Sequence, residues 1–433
     1  MTSIEAALDR IAARRPRVID LSLDRVHAAL ERLGDPHRKL PPVFHVAGTN
    51  GKGSTVAFLR ACLEAAGHRV HVYTSPHLVR YNERVVLAGE EISDAAFIDA
   101  LRAVEDAVGD EKLTFFETLT CAAYLAFAET PADFAVIEVG LGGRLDATNV
   151  LDRPLAAVVS PVDFDHQKFL GDTLREIASE KAGVFRAGAP AVIGRQDPEA
   201  MATLMDRAGN VGAEIYAMGR DWDAYPERGR LTFQDQAGLM DLDAPKLPGR
   251  HQIDNAALGV AAIRAAGLPL TAEELSAGLV RANWPARLQR LSHGPLIDRA
   301  LALSGGEVEM WLDGGHNPHA ARAVAQVMAD LEARHPRPLA LIAGLQANKD
   351  MKGYFTPFAG LARGCYAVAA HQDGAAPASD VAEAAAAAGI SAKPFETIDA
   401  ALEAALSEKK NEPPRVLIGG SLYLAGEILK ENG

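Results

Sequence analysis

Val43-Phe44-His45-Val46-Ala47-Gly48-Thr49-Asn50-Gly51-Lys52-Gly53-Ser54-Thr55 reads as a buried strand, a glycine turn, a lysine, two hydroxyls and the start of a helix. That order builds an anion cradle. Backbone N–H groups of the turn and of the helix start converge on one point, and the lysine adds a full positive charge there. Triphosphate is the usual occupant of such a loop. The spacing departs from the standard phosphate loop, in which a Ser or Thr follows the lysine directly. Gly48 lies four positions before Lys52, and Gly53 follows it. A magnesium-binding hydroxyl would therefore come from Ser54, Thr55 or another loop.

Outward from this stretch, short apolar runs alternate with helical patterns. Strands are expected at 43–47, 70–73, 135–139, 156–159 and 191–193, and helices at 55–66 and 117–128. Apolar strands separated by helices predict an α/β fold, a mostly parallel sheet covered on both faces. Segment 216–242 alternates over a shorter range and is turn-rich, which predicts a small antiparallel patch; 251–266 reads as a helix. Trp284-Pro285 interrupts the pattern within 283–294. Beyond it, strands are expected at 308–312, 339–343, 366–370 and 415–418, with helices at 318–333, 380–388, 398–407 and 422–431. The expectation is a P-loop ATP-binding domain over residues 1–286 and a second, smaller Rossmann-like α/β domain over 287–433. The first 40 residues read as two helices joined by a loop containing Asp20 to Leu23.

A chain of 433 residues is too long for one core, and 48% apolar with 23% charged residues is ordinary for a soluble globular protein. The net charge of −13 argues against a general nucleic-acid binder but not against anionic substrates, because a local basic pocket overrides the global field. Cys62, Cys121 and Cys365 have neither metal-ligand nor redox spacing and read as buried thiols. The N-terminus lacks a cleavable apolar segment and no apolar run reaches about 18 residues, so a cytoplasmic protein without membrane contact is expected.

Several polar residues stand where the pattern calls for apolar ones. Glu138 lies inside the apolar run that leads into Gly140-Leu141-Gly142-Gly143-Arg144. A carboxylate at the C-terminal end of a parallel strand points into the ligand crevice, so Glu138 reads as a magnesium ligand or as the ion-pair partner of Arg144. Asp163-Phe164-Asp165-His166 follows the strand at 156–159, and His166 there is a metal or catalytic candidate. Lys181 falls near the end of a helix opened by a Thr173…Glu176 capping box and by itself reads as a surface lysine. Asp313 closes a strand of the second domain, on the side of the expected cleft.

Gly48–Thr55, Thr74-Ser75-Pro76-His77-Leu78, Glu138–Asn149, Asp165-His166, Glu180-Lys181-Ala182-Gly183 and Asp313-Gly314-Gly315-His316-Asn317-Pro318 occur in that order. Together they resemble the folylpolyglutamate synthase/dihydrofolate synthase branch of the Mur ligase superfamily, over nearly the whole chain. Ser75–Tyr81 is characteristic of the folate branch. The resemblance implies that Thr49, Asn50, Gly51, Lys52, Gly53 and Ser54 hold the ATP phosphates, with Asn255, Arg287 and Asp313 as further nucleotide contacts. It implies two Mg²⁺ ions, with Ser75, Glu138 and His166 as ligands, and a carbamylated Lys181. It makes Lys52, Lys181 and His166 the catalytic set. Asp20, Leu21, Ser22, Leu23, Thr114, Phe115, Phe116, Glu117, Leu145, Asp146 and Ala147 match the dihydropteroate-contacting segments of bifunctional members. His316 and Ser421 are implied for the incoming glutamate. The chain departs from the pattern at Ala286, where a glycine normally precedes the arginine, and at Gly315, where an alanine is usual.

The function so implied is an ATP-dependent amide ligase. A carboxylate does not react with an amine at neutral pH, so ATP would convert it to an acyl phosphate, which the glutamate amine then attacks. The acceptors would be dihydropteroate and reduced folates, the partners small molecules only, and the protein a monomer. Alternatives are a monofunctional folylpolyglutamate synthase, a Mur-type ligase acting on a cell-wall precursor, and a P-loop phosphotransferase. Ser75–Tyr81 argues against the second, and the second α/β domain against the third.

Overall fold

A phosphate loop needs a strand end and a helix start fixed beside each other, and the surrounding sheet supplies both. The computed structural model describes residues 4, 6–8, 11, 21–109, 113–372, 374–407 and 414–432. They divide into two units: one of residues 1–246 and 252–283, the other of residues 247–251 and 284–433. Asp20 lies outside the described residues.

In the first unit, among the described residues, eight strands form one sheet: β1 (Val43–Ala47), β2 (Val70–Tyr73), β3 (Val85–Leu87), β4 (Glu90–Glu91), β5 (Phe134–Glu138), β6 (Ala156–Val159), β7 (Pro190–Ile193) and β8 (Glu214–Ala217). Their spatial order is β4-β3-β2-β5-β1-β6-β7-β8. The run from β2 to β8 is parallel, and β3 and β4 add an antiparallel edge. Every residue of β1, β5 and β6 is buried, which is why these strands read as continuous apolar runs rather than alternating ones. Val26, Phe97, Leu119 and Phe127 fill one part of the core; Ile177, Val184, Ile193 and Leu204 fill another. Helices Lys52–Ala65 and Ala272–Arg281 lie so close that a Cβ on Gly278 would sit 2.4 Å from Cys62 Cα.

A separate three-stranded antiparallel sheet is built from β9 (Trp222–Glu227), β10 (Arg230–Asp235) and β11 (Gly238–Asp243). Tyr216 is not part of it: it belongs to β8, which extends the large sheet in parallel. In the second unit the strands are β12 (Gln289–Leu291), β13 (Glu309–Leu312), β14 (Leu339–Ala343), β15 (Ala362–Ala367), β16 (Ala392–Pro394) and β17 (Arg415–Gly419). They run in the order β12-β13-β17-β14-β15-β16, all parallel except β12. β15 starts four residues before the expected 366, because polar Arg363 and Gly364 sit at the strand's entrance and hide its beginning. Both units are thus α/β, and among the described residues no helix is long and apolar enough to cross a membrane.

Candidate active site

Four neighbouring strands, β2, β5, β1 and β6, end on the same edge of the first sheet, and each end carries a polar loop. Val46 is in register with Glu138, and Ala47 with Val159, so the loops after β1, β5 and β6 leave side by side. In an open parallel sheet this edge is where ligands bind.

The loop after β1 turns through Gly48 (φ +146°) and Gly51 (φ +84°). Both need glycine for a second reason. A Cβ on Gly48 would lie 1.9 Å from Ser160 Oγ, and one on Gly51 would lie 2.3 Å from Asn255 Oδ1. Ser160 Oγ donates to the Asn50 carbonyl (2.8 Å), and the Thr49 and Asn50 amides donate to the Pro161 carbonyl (2.9 and 3.2 Å). Thr49 Oγ1 donates to the Asp163 carbonyl and accepts from the Asp163 amide (3.0 and 3.1 Å). The loop after β6 therefore clamps the phosphate loop. The helix that follows begins at Lys52, and its first amides have no intrahelical acceptor, which leaves them to an anion.

Two lysines converge on this loop. Lys52 Nζ donates to the carbonyls of Gly48 and Thr49 (3.2 and 3.4 Å), and Lys181 Nζ donates to that of Gly48 (2.9 Å). Lys181 is 3% exposed. It is not the surface lysine its helix pattern indicates: Gly143 packs against its backbone, where a Cβ would meet the Lys181 carbonyl at 2.8 Å, and the glycines after β5 thereby cover the end of helix Leu174–Lys181. Burial, with the charge of Lys52 second, lowers its pKa to about 7, against a smaller opposing pull from Asp165 and Asp146.

Glu138 is buried at the end of β5, 4.0 Å from Lys52 Nζ, and accepts from the Ser75 amide (3.3 Å). Arg144 pairs instead with Glu180 (2.9 Å), so the ion-pair alternative for Glu138 is not realised. His166 adopts a left-handed backbone (φ +51°) with its side chain exposed, 3.9 Å from Asp165. Among the described residues no three His, Cys, Asp or Glu side chains gather into a ready-made metal nest. The hard oxygen donors Ser75 and Glu138, held next to each other beside a phosphate loop, fit Mg²⁺ or Mn²⁺ all the same, because Mg²⁺ takes one or two protein ligands and completes its shell with substrate phosphate and water.

The segments that the resemblance implies for the acceptor ring are tightly built. Phe116 lies against the glycine loop, where a Cβ on Gly140 would sit 2.4 Å from its Cζ. Phe115 and Phe116 also pack on the core, beside Tyr81 and Tyr73 (ring centroids 6.0 and 6.1 Å apart). Glu117 and Thr114 cap their helix reciprocally (2.6 and 3.2 Å), and Glu117 accepts from Nη2 and Nε of Arg25 (2.8 and 3.3 Å). Asp146 accepts from the Leu141 amide (2.7 Å) and from the amide (3.0 Å) and hydroxyl of Thr148, while burial pushes its pKa up. Leu145 and Ala147 flank it in the same loop. Ser22 Oγ accepts from the Asp24 amide (3.4 Å); Leu23 packs on the core, and Leu21 lies two positions before it.

In the second unit, buried Asp313 accepts from the Leu288 and Gly315 amides (2.9 and 2.7 Å), and burial raises its pKa against the pull of Arg287 and His316. Arg287 stands between Ala286 (φ +55°) and Leu288 (φ +45°). His316 Nδ1 lies 3.1 Å from the Gly314 carbonyl, and buried Ser421 accepts from the Tyr423 amide (3.1 Å). Sequence reasoning missed Ser160, which holds the Asn50 carbonyl, and Gln196, which fastens the loop after β6 by accepting from the Val162 amide (2.9 Å) and donating to the Ser160 carbonyl (3.1 Å). Their signal was slight, a polar residue at a strand end or inside a turn.

A strand-loop-helix phosphate cradle with a second lysine, on a sheet edge next to a buried carboxylate, fits a nucleoside triphosphate, and the similarities that follow make the chain an ATP-dependent ligase. Two family models match: Mur ligase middle domain over residues 46–263 and Mur ligase, glutamate ligase domain, over 300–422. The dihydrofolate synthase/folylpolyglutamate synthase of Escherichia coli K12 is 35% identical over 415 residues, which covers 96% of this chain and 92% of that one. E. coli FolC in complex with DHPP and ADP superposes with a TM-score of 0.87 at 34% identity, covering 99% and 97% of the two chains. A bifunctional folylpolyglutamate synthase/dihydrofolate synthase with Mn, AMPPNP and L-glutamate bound gives 0.86 at 32%, covering 99% and 98%. The chain belongs to the folylpolyglutamate synthase/dihydrofolate synthase branch of the Mur ligase superfamily.

Proposed function

We propose that this chain joins L-glutamate to dihydropteroate and to tetrahydrofolate glutamates, at the expense of ATP, through an acyl phosphate. The observation that carries the reading is the convergence of Lys52 and Lys181 on the Gly48 carbonyl next to Glu138. Lys52 offsets charge on the transferring γ-phosphoryl group, and the amides of Gly51, Gly53 and Ser54 orient the phosphates. Ser75, Glu138 and His166 would hold two Mg²⁺ ions, which when bound neutralise phosphate charge. Two adjacent cations, one of them buried, repel. Carbamylation of Lys181 by CO₂ turns one of them into an anion beside Lys52, and a pKa of about 7 provides the neutral amine that this reaction needs. Phe116 and the loop from Gly140 to Ala147 support the ring system of the acceptor. The family resemblance assigns Thr49, Asn50, Asn255, Arg287 and Asp313 to the nucleotide, and His316 and Ser421 to glutamate.

The test is phosphate release with product mass, using ATP, Mg²⁺ and L-glutamate with dihydropteroate or tetrahydrofolate as acceptor. Acceptor-dependent release with a one-glutamate mass gain is expected from each. Activity with tetrahydrofolate alone leaves the monofunctional synthase; release that depends on neither acceptor refutes the proposal. A ¹³C carbamate resonance under ¹³C-bicarbonate, absent in Lys181→Met, checks the modification.

A further inference from the structure

Segment 74–84, between β2 and β3, is a loop closed on itself. Its ends are tied by the Thr74 amide on the Arg84 carbonyl (2.9 Å) and its flank by Asn82 Nδ2 on the Ile92 carbonyl and on Asp94 (2.8 and 2.9 Å). Inside it, Arg84 Nε donates to His77 Nδ1 (2.9 Å), and the His77 and Tyr81 rings lie 4.1 Å apart. The centre is held by one carboxylate. Glu83 Oε2 accepts from the Leu78 amide (2.7 Å), and Oε1 accepts from the amides of Val79 and Arg80 (2.9 and 2.7 Å). Three successive amides turned to one point form an anion nest, and here the chain fills it with its own side chain. Such bonds to an ionised acceptor are roughly twice as strong as neutral ones.

We propose that Glu83 is a positioning residue that fixes Ser75 for the metal by locking the turn of residues 78–80. Ser75 is the second residue of the loop, and its own amide is already on Glu138 (3.3 Å). A turn that loses its central anion frees three amides next to each other, which repel and spread. Ser75, whose amide is on Glu138, then loses its fixed position in the loop. The proposal rests on the reading of Ser75 as a metal ligand.

The test is Mn²⁺ binding in the presence of AMPPNP, read by electron paramagnetic resonance, with hydrogen exchange of the Leu78, Val79 and Arg80 amides. In the unmodified protein these amides are expected to exchange slowly. Glu83→Ala is expected to speed them up and to weaken Mn²⁺ binding roughly 10–100-fold, the scale of losing the support of a metal ligand. Glu83→Gln retains acceptance from Val79 and Arg80 but turns an NH₂ toward Leu78, so its effect is intermediate. Added formate restores Glu83→Ala toward normal and leaves Glu83→Gln unchanged. Unaltered Mn²⁺ affinity in folded Glu83 variants, alongside a loss in Ser75→Ala, overturns the role of Glu83 alone. Unaltered affinity in Ser75→Ala overturns both readings. If Glu83→Ala does not fold, fast exchange of the three amides in the unmodified protein is the overturning result.

Discussion

Lys181 keeps its amine in a buried site, 2.9 Å from the Gly48 carbonyl, and its pKa is lowered to about 7 from 10.5. Between those two values the unfolded chain binds more protons than the folded one, so stability linked to this group rises with pH across that window and is lost as pH falls toward 7. In CO₂-free buffer, the unfolding temperature of the wild type is therefore expected to gain on that of Lys181→Met between pH 7 and pH 10.5; a constant gap would contradict the buried amine. Lys181→Arg places a permanent cation in the same site and is expected to lower kcat by at least about 100-fold, measured with saturating substrates. Gly51→Ala carries both a left-handed backbone (φ +84°) and a Cβ 2.3 Å from Asn255 Oδ1. It is expected to cost about 1–2 kcal/mol of stability in a denaturant titration and to weaken ATP binding, measured by calorimetry.

At the scale of elements, the start of helix Phe115–Glu129 shows how much structural work a site segment already carries. Glu117 caps that helix and pairs with Arg25, so Glu117→Ala is expected to destabilise the protein by about 2 kcal/mol in urea, whatever it does to acceptor binding. The turn into β12 makes a second case. Ala286 is fully buried at φ +55°. Ala286→Gly is expected to lie within about 1 kcal/mol of the parent, because relief of backbone strain offsets glycine's extra entropy. Ala286→Val is expected to cost more than about 2 kcal/mol, since a β-branched side chain at positive φ is worse still. The strands were legible where burial on both faces leaves a continuous apolar run, as in β1, β2, β6 and β14. They were not legible where the run is short or polar: the β3–β4 edge contains Glu90 and Glu91, and β16 is Ala392-Lys393-Pro394. Of the site, Lys52 and Glu138 stood out because glycine spacing and a charge inside an apolar run are local signals. The burial of Lys181 was not readable from its helix, because the cover comes from Gly143, 38 positions earlier in the chain.

For the molecule as a whole, a ligand that binds the folded state alone stabilises it by mass action. AMPPNP with Mn²⁺ at 100 times its dissociation constant is expected to add about 2.7 kcal/mol to the unit that carries the phosphate loop, and EDTA to remove most of that gain, as read by thermal unfolding. The second unit has a different exposure to its surroundings. β16 is the last strand of its sheet, and an outermost strand offers unpaired N–H and C=O groups to any other extended chain. Here that margin is three residues long, carries the charge of Lys393, and ends in Pro394, which has no N–H to donate. A growing fibril therefore finds no template on that side. The same short, polar strand that was hardest to read is what keeps the sheet from recruiting a neighbour at high concentration.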